Sequence, residues 1–299
     1  MPFWDVFPEN AGITGIITDM QQDADGFYWI SSTEGLFRFD GRRAVRIHYL
    51  APDTLPLSSR LVRSLSIDHQ RHRLWFAAQR GLFQYDMRQG IVTHWPDSAL
   101  FGEQVERPGH ASVVWCDEKG RVWSDVGHYG IVRFDPNTRT TEVFKLPLNE
   151  KEKQAGLDEN MAHSLRRIAR DAVRPHILWV ATRRGLLRLD ESTKTLERFV
   201  FYPDQTAIRR NGDAISDANA MLAVYAHPNG KVYCGTWDAG LLVLDPATRQ
   251  FSQFFQSDEG WTEHGNIHRV YALLPDGAGN LWVRGSKGGS LFAVDQQRF

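Results

Sequence analysis

Trp29-Ile-Ser-Ser-Thr-Glu-Gly-Leu-Phe-Arg-Phe-Asp40 decides the fold, because the chain repeats this pattern six times. Each copy has an anchoring aromatic residue, a turn with Gly, an aliphatic residue and, four positions later, Asp. The anchoring aromatics are 46, 48, 56, 54 and 49 residues apart, and such a period indicates one supersecondary unit repeated along the chain. The other copies are Trp75–Asp86, Trp123–Asp135, Trp179–Asp190, Tyr233–Asp245 and Trp282–Asp295.

One repeat contains four short strand patterns separated by turns. In the second copy, runs rich in β-branched and aromatic residues alternate with polar or Gly-containing turns, which is typical of antiparallel strands. Four such strands in about 50 residues are typical of one blade of a β-propeller. The predicted strands of this copy are 61–67, 73–78, 82–86 and 91–95.

The sequence therefore predicts an all-β fold, a β-propeller of six four-stranded antiparallel blades in one domain over residues 1–299. The last copy supplies only three strands, so we expect residues 3–7 to close the sixth blade. A fragment of a seven-bladed or larger propeller is the alternative. The predicted blades are approximately 13–50, 61–97, 110–147, 163–203, 219–257, and 267–299 plus 3–7.

The residues that recur in every copy are expected to have structural roles. An aromatic residue that recurs once per blade is expected to be a buried wedge between blades, and each such ring buries about 150–250 Å². The Asp that closes the third strand is expected to accept hydrogen bonds from backbone N–H groups in the turn that follows. Cys116 and Cys234 belong to apolar strand patterns of different repeats, so we expect two free thiols.

The composition excludes several classes of protein. The net charge of −1 gives no global field for nucleic acid, and 42% hydrophobic and 24% charged residues are ordinary for a globular protein. No run of about 18 apolar residues is present, so no transmembrane helix is expected. The N-terminal residues lack the basic and apolar regions of a signal peptide.

The pattern shared by the six copies resembles the two-component regulator propeller repeat. Residues 22–41 match it closely, and 178–190 match it although the preceding turn departs from Asp-x-x-Gly. The resemblance covers nearly the whole chain and implies the periplasmic or extracellular sensor module of an inner-membrane bacterial signalling protein. Such modules usually precede a transmembrane helix and a kinase or cyclase output domain, neither of which these residues contain. A ligand-dependent homodimer is the expected signalling arrangement, and no cofactor or nucleic acid is implied.

Candidate ligand residues fall where the copies differ. Propellers bind ligands on the face that carries the turns between strands two and three and the loops between blades. Trp237 beside Asp238 suits stacking on a sugar, and Arg183 with Arg184 suits a carboxylate or sulfate. The expected ligand is a small molecule such as an oligosaccharide fragment. The full predicted set is Glu34, Arg60, Arg80, His128, Tyr129, His163, Arg183, Arg184, Trp237, Asp238, His268 and Lys287.

Two other functions remain open. A protein-interaction scaffold is one, and a polysaccharide lyase or glycosidase is the other, because the propeller fold does not decide function. Catalysis would require paired carboxylates or a histidine base, and the acidic candidates lie in no recognisable catalytic motif. A metal ring is disfavoured, since its histidines would come from three different blades. The acidic candidates are Asp19, Glu34, Asp125 and Asp238, and the histidines are His110, His163 and His268.

Overall fold

The computed structural model describes most of the repeated segments. It divides the chain into two compact units, Met1–Phe144 and Lys145–Phe299, each of which holds three antiparallel sheets. We number the sheets as blades one to six in chain order. The described residues are 12–48, 61–78, 81–96, 99–100, 111–125, 130–145, 165–201, 219–254, 269–285 and 288–299.

Unit one contains blades one to three, each a four-stranded sheet whose strands pair in chain order. Blade one is β1 (Ile17–Gln22), β2 (Tyr28–Ser32), β3 (Gly35–Phe39) and β4 (Ala44–Ile47). Blade two is β5 (Val62–Asp68), β6 (Arg73–Ala78), β7 (Gly81–Asp86) and β8 (Ile91–Trp95). Blade three is β9 (Val114–Cys116), β10 (Val122–Ser124), β11 (Ile131–Asp135) and β12 (Thr140–Phe144).

Unit two contains blades four to six, and the last of these has three strands among the described residues. Blade four is β13 (Leu165–Arg170), β14 (Ile177–Thr182), β15 (Gly185–Asp190) and β16 (Thr195–Phe199). Blade five is β17 (Met221–Ala226), β18 (Val232–Thr236), β19 (Leu241–Asp245) and β20 (Gln250–Phe254). Blade six is β21 (Val270–Pro275), β22 (Leu281–Gly285) and β23 (Gly288–Phe292).

The architecture is the all-β, six-bladed propeller that the repeat predicts. All strand pairs are antiparallel, and the strands fall where the hydrophobic runs of each copy predict them. The predicted closing strand, residues 3–7, lies outside the described residues. The prediction of a single domain stays a prediction.

Successive blades within a unit pack through the anchoring aromatics. Trp29, Trp75, Trp179 and Tyr233 are at most 1% exposed, and each lies in a core cluster with aliphatic residues of the following blade. Trp179, for example, packs with Met221 of blade five. The first strands also lie side by side: β1 on β5, β5 on β9, β13 on β17, and β17 on β21. The wedge prediction is confirmed for these four aromatics.

The wedge prediction is wrong for Trp282, whose side chain is 51% exposed. Its strand neighbours Leu274 and Leu291 are also exposed, at 62% and 39%. In the other blades of unit two this row is covered by the next blade along the chain. Among the described residues, no further blade packs on this row of blade six. The anchoring aromatic Trp282 therefore has a different environment from Trp179 and Tyr233.

The aspartates have two structural roles, of which the sequence predicted one. The Asp that closes strand three accepts backbone N–H bonds from the next turn, as predicted; Asp40 Oδ1, for example, lies 2.8 Å from Arg42 N and 2.7 Å from Arg43 N. In blades one, three and four the Asp in the first turn accepts a bond from the indole N–H of its own blade's tryptophan. These Oδ2–Nε1 distances are 2.7 Å for Asp23–Trp29, 3.1 Å for Asp117–Trp123 and 2.8 Å for Asp171–Trp179.

Burial alone would raise the pKa of the Asp117 and Asp171 carboxyls. Hydrogen bonds from an arginine and from the indole outweigh that effect and hold both pKa values below the ordinary range. The arginines are Arg121 and Arg174, with Nη2–Oδ2 distances of 2.6 and 2.8 Å. Both carboxylates are therefore charged and fixed at neutral pH.

Candidate functional site

The structure describes five of the twelve predicted ligand residues. Glu34, Arg183, Arg184, Trp237 and Asp238 all occupy the turn between the second and third strands of their blades, as the sequence predicts. The other seven lie outside the described residues: Arg60, Arg80, His128, Tyr129, His163, His268 and Lys287. Their roles stay predictions.

A β-bulge near the start of the first strand is a feature of the site that the repeat pattern did not predict. In five blades the register of the first strand slips by one residue at the same place. A bulge leaves one residue without a partner across the ladder and redirects its side chain. The residues at the slip are Thr18, Arg63, Arg166, Leu222 and Tyr271.

The bulge lies at the same end of the blade as the predicted ligand turn. In blade four, Leu165 pairs with Thr182 and Arg167 pairs with Ala181, so the bulged Arg166 is opposite the residues that lead into Arg183. In blade five the turn is tied to the strand directly, because Trp237 N donates to Ala220 O at 2.9 Å. Each bulged blade therefore presents a turn and a bulge residue at one end, which we call the turn end.

The bulge residues belong to four types, two of the five being arginine, whereas the residue before each bulge is always apolar. Arg63, Arg166 and Tyr271 are exposed, and Leu222 is half-buried. Within unit two, β13 lies beside β17 and β17 beside β21, so the bulge residues of unit two form a row across three adjacent strands. Such a row can select a ligand, because it offers one cationic, one aliphatic and one aromatic side chain.

Trp237, predicted as a sugar-stacking residue, is half-buried and already contacts a cation. The guanidinium of Arg269, one residue before β21, lies 3.9 Å from the centroid of the indole. This distance is typical of a cation–π contact. The contact joins the turn of blade five to the first strand of blade six, so Trp237 has a structural role in addition to any ligand role.

The remaining described candidates lie at the surface of their turns. Arg183 and Glu34 are exposed, while Arg184 and Asp238 are half-buried. Arg184 N donates to Thr182 Oγ1 at 3.1 Å, and Glu34 N donates to Ser32 Oγ at 3.0 Å, so both turns are held by a buried hydroxyl of the preceding strand. The Glu34 carbonyl accepts a hydrogen bond from the Arg46 guanidinium.

The turn end of unit two is cationic among its described residues. Six arginines and one carboxylate, Asp238, lie within two residues of a bulge or of a turn at this end. Guanidinium groups at this end can form paired hydrogen bonds with an anionic group of a ligand. The arginines are Arg166, Arg167, Arg183, Arg184, Arg269 and Arg284.

Two acidic residues that the sequence offered as site candidates, Asp19 and Asp125, have structural roles, and so has Asn219. Asp19 Oδ2 accepts from Leu65 N at 3.0 Å and so ties blade one to blade two. Asp125 Oδ1 accepts from Ser112 N and Val113 N at 2.7 and 3.1 Å, and it occurs in blade three, the blade without the bulge. Asn219 Oδ1 accepts from Phe201 N at 2.9 Å.

Both cysteines are free thiols, as predicted. Burial raises the pKa of the Cys116 and Cys234 thiols, so neither is a thiolate nucleophile at neutral pH. Among the described residues, no three His, Cys, Asp or Glu side chains come together as a metal site. No helix in this part of the chain is both long enough and apolar enough to cross a membrane.

Several solved bacterial structures share the fold at low sequence identity. The extracellular domain of the putative hybrid two-component system BT4673 from Bacteroides thetaiotaomicron aligns with a TM-score of 0.58 and 17% identity over 96% of this chain and 38% of its own. PorZ, an essential surface component of the type-IX secretion system of Porphyromonas gingivalis, aligns with a TM-score of 0.61 and 14% identity over 91% of this chain and 38% of its own. A Bacteroides thetaiotaomicron protein of unknown function gives a TM-score of 0.54 and 13% identity, with 93% and 68% covered.

These likenesses support the fold. The chain spans 38% of the length of the first two structures. No family model matches the chain, and no curated protein matches it. Membership of the two-component regulator propeller repeat family therefore stays a prediction.

Proposed function

We propose that the chain is the input domain of a bacterial signal-transduction protein and binds a small ligand at the turn ends of its blades. One observation carries the proposal: the repeat is kept through the blade cores and departs from its pattern at one end. The five bulges lie there, and they present four different residue types: Thr18, Arg63 and Arg166, Leu222, and Tyr271. Bulges are frequent beside functional sites, where they redirect a side chain.

The similarity to the extracellular domain of a hybrid two-component system supports the signalling part of the proposal. In this proposal the chain is the periplasmic or extracellular portion of an inner-membrane protein. The transmembrane segment and the output domain are supplied by a longer protein, and the ligand acts by changing the geometry of a homodimer. The proposal includes no cofactor, metal, nucleic acid or catalytic reaction.

The ligand class follows from the side chains at the turn end of unit two. Tyr271 is exposed, and Asp238 and Trp237 lie together in one turn. Aromatic rings with neighbouring hydrogen-bonding groups suit a sugar, which offers apolar ring faces and hydroxyl edges. We therefore place an oligosaccharide fragment at this end.

Thermal unfolding with a panel of neutral and acidic oligosaccharides tests the proposal. A ligand at 100 times its Kd should stabilise the protein by about 2.7 kcal/mol, which is a readily measured rise in Tm. The same samples, assayed for product release, should show no turnover. If no sugar raises the Tm and the protein instead captures a defined protein partner, the scaffold function replaces this one, and product release would identify an enzyme.

A further inference from the structure

We infer that the bulge row of unit two, Arg166, Leu222 and Tyr271, recognises an acidic sugar. The inference rests on the proposed function and names the ligand class of that site. Arg166 would hold a carboxylate or sulfate group, Tyr271 would stack on the sugar ring, and Leu222 would pack against the apolar ring face between them.

The geometry of the three strands supports this assignment. Each of the three residues is the bulged residue of a first strand, at the same distance from the turn end. The strands are neighbours in the order β13, β17, β21, so the row has its cation at one end and its aromatic ring at the other. Successive side chains of a regular strand point to opposite faces of the sheet, and the bulge interrupts that alternation at this position.

Two neighbouring arginines, Arg166 and Arg183, favour an anionic group over a neutral one at this position. Arg183 is exposed in the turn beside the Arg166 bulge, and guanidinium groups form paired hydrogen bonds with planar carboxylate and with sulfate. Asp238 is the carboxylate that the described residues place at this end. A nucleic acid is disfavoured, because the chain as a whole has a net charge of −1.

Titration calorimetry with three sugars of matched length provides the test. The probes are trigalacturonic acid for carboxylate, a sulfated chondroitin-type oligosaccharide for sulfate, and cellotriose as the uncharged comparator. We expect one of the acidic probes to bind at least tenfold more tightly than cellotriose, and we expect that preference to weaken with added salt. The stronger of the two acidic probes distinguishes carboxylate from sulfate recognition.

Two variants with matched controls locate the site. Arg166→Gln should weaken binding of the acidic probe at least tenfold. Arg42→Gln removes an exposed arginine from the turn between strands three and four of blade one, and it should change binding less than twofold. Tyr271→Ala should weaken binding at least fivefold, whereas Leu274→Ala, another exposed apolar position on β21, should have no effect. Each variant should keep the Tm of the wild type, which separates lost recognition from lost folding.

The outcomes separate this inference from the proposed function. Binding of cellotriose equal to or tighter than that of both acids would overturn the inference and leave the input-domain proposal standing. Equal losses for Arg166→Gln and Arg42→Gln would also overturn it, because they would indicate a general charge effect. Failure of every sugar in the wider panel would count against both.

Discussion

The fifth and sixth blades carry corresponding rows of apolar residues across their first three strands, yet the rows have opposite environments. In blade five the row is Tyr225, Tyr233 and Val243, and its last two members are 0% and 4% exposed. In blade six the row is Leu274, Trp282 and Leu291, and all three members are exposed. Blade six itself makes the difference, because its Val270, Leu281, Val283 and Phe292 pack in one cluster with Tyr233 and Val243.

Burial of an anchoring aromatic therefore depends on two blades: the one that carries the ring and the one that packs against it. A repeat places the ring at the same point of each sheet, since strand pairing fixes its register. The free energy of burial is gained only where the next blade presents aliphatic side chains to that ring. Substitutions at matched positions of the two blades can therefore separate the contribution of the blade interface from that of the sheet.

Truncation of the anchoring aromatics should give the largest difference. Tyr233→Ala removes a fully buried ring and should lower the free energy of unfolding by about 4 kcal/mol. Trp282→Ala removes a half-exposed ring and should lower it by less than about 1 kcal/mol. Urea titrations followed by circular dichroism measure both. Losses of similar size would mean that the two rows have the same environment in solution.

Gly235 in blade five and Gly289 in blade six differ in how closely another blade approaches their backbone. A Cβ at Gly235 in β18 would lie 2.6 Å from both Cγ1 and the carbonyl oxygen of Val270, whereas a Cβ at Gly289 in β23 would meet no atom within 4 Å. Gly235→Ala should therefore cost about 2 kcal/mol through forced separation of blades five and six. Gly289→Ala should change the stability by no more than about 0.5 kcal/mol in either direction.

Thermal melts of these two variants provide the measurement. A Tm for Gly235→Ala equal to that of the wild type would show that the two blades can separate without cost. The close approach of Gly235 to Val270 would then make no contribution to the stability of the interface between blades five and six.

Much of this fold could be predicted from the sequence, because the repeat pattern records local pairing. The strand runs, the turns at Gly and the Asp that closes strand three depend on neighbouring residues, and these features agree with the structure. Trp282 could not be predicted correctly, since its environment depends on what lies against the sheet. The bonds that the indoles of Trp29 and Trp179 donate to Asp23 and Asp171 were not predicted, because residue spacing does not show which side chains meet.

The candidate site was predictable only in its location. The turns that carry Arg183 and Trp237 lie where the repeat places them, since turn position follows from strand length. The bulges left no signal, because a bulge adds one residue to a strand without changing its composition. Arg166 and Tyr271 looked like ordinary strand residues for that reason, and Arg269 showed its contact with Trp237 only in three dimensions.

The smallest effect is expected from the carboxylates that fix the first turns. Asp171→Asn removes the charge that accepts the indole bond of Trp179 and pairs with Arg174, and it should cost about 1.5 kcal/mol at pH 7. Asp276→Asn in blade six should cost less, because the side-chain bond to Asp276 comes from Asn280 and Trp282 is exposed.

Because the folded pKa of Asp171 lies below its unfolded value of about 3.9, its contribution is complete above that pH and is lost as the pH falls towards the folded pKa. Urea titrations of wild type and Asp171→Asn should therefore differ at pH 7 and converge as the pH falls through the folded pKa. A difference that stays constant with pH would assign the loss to altered packing, with no contribution from the carboxylate charge.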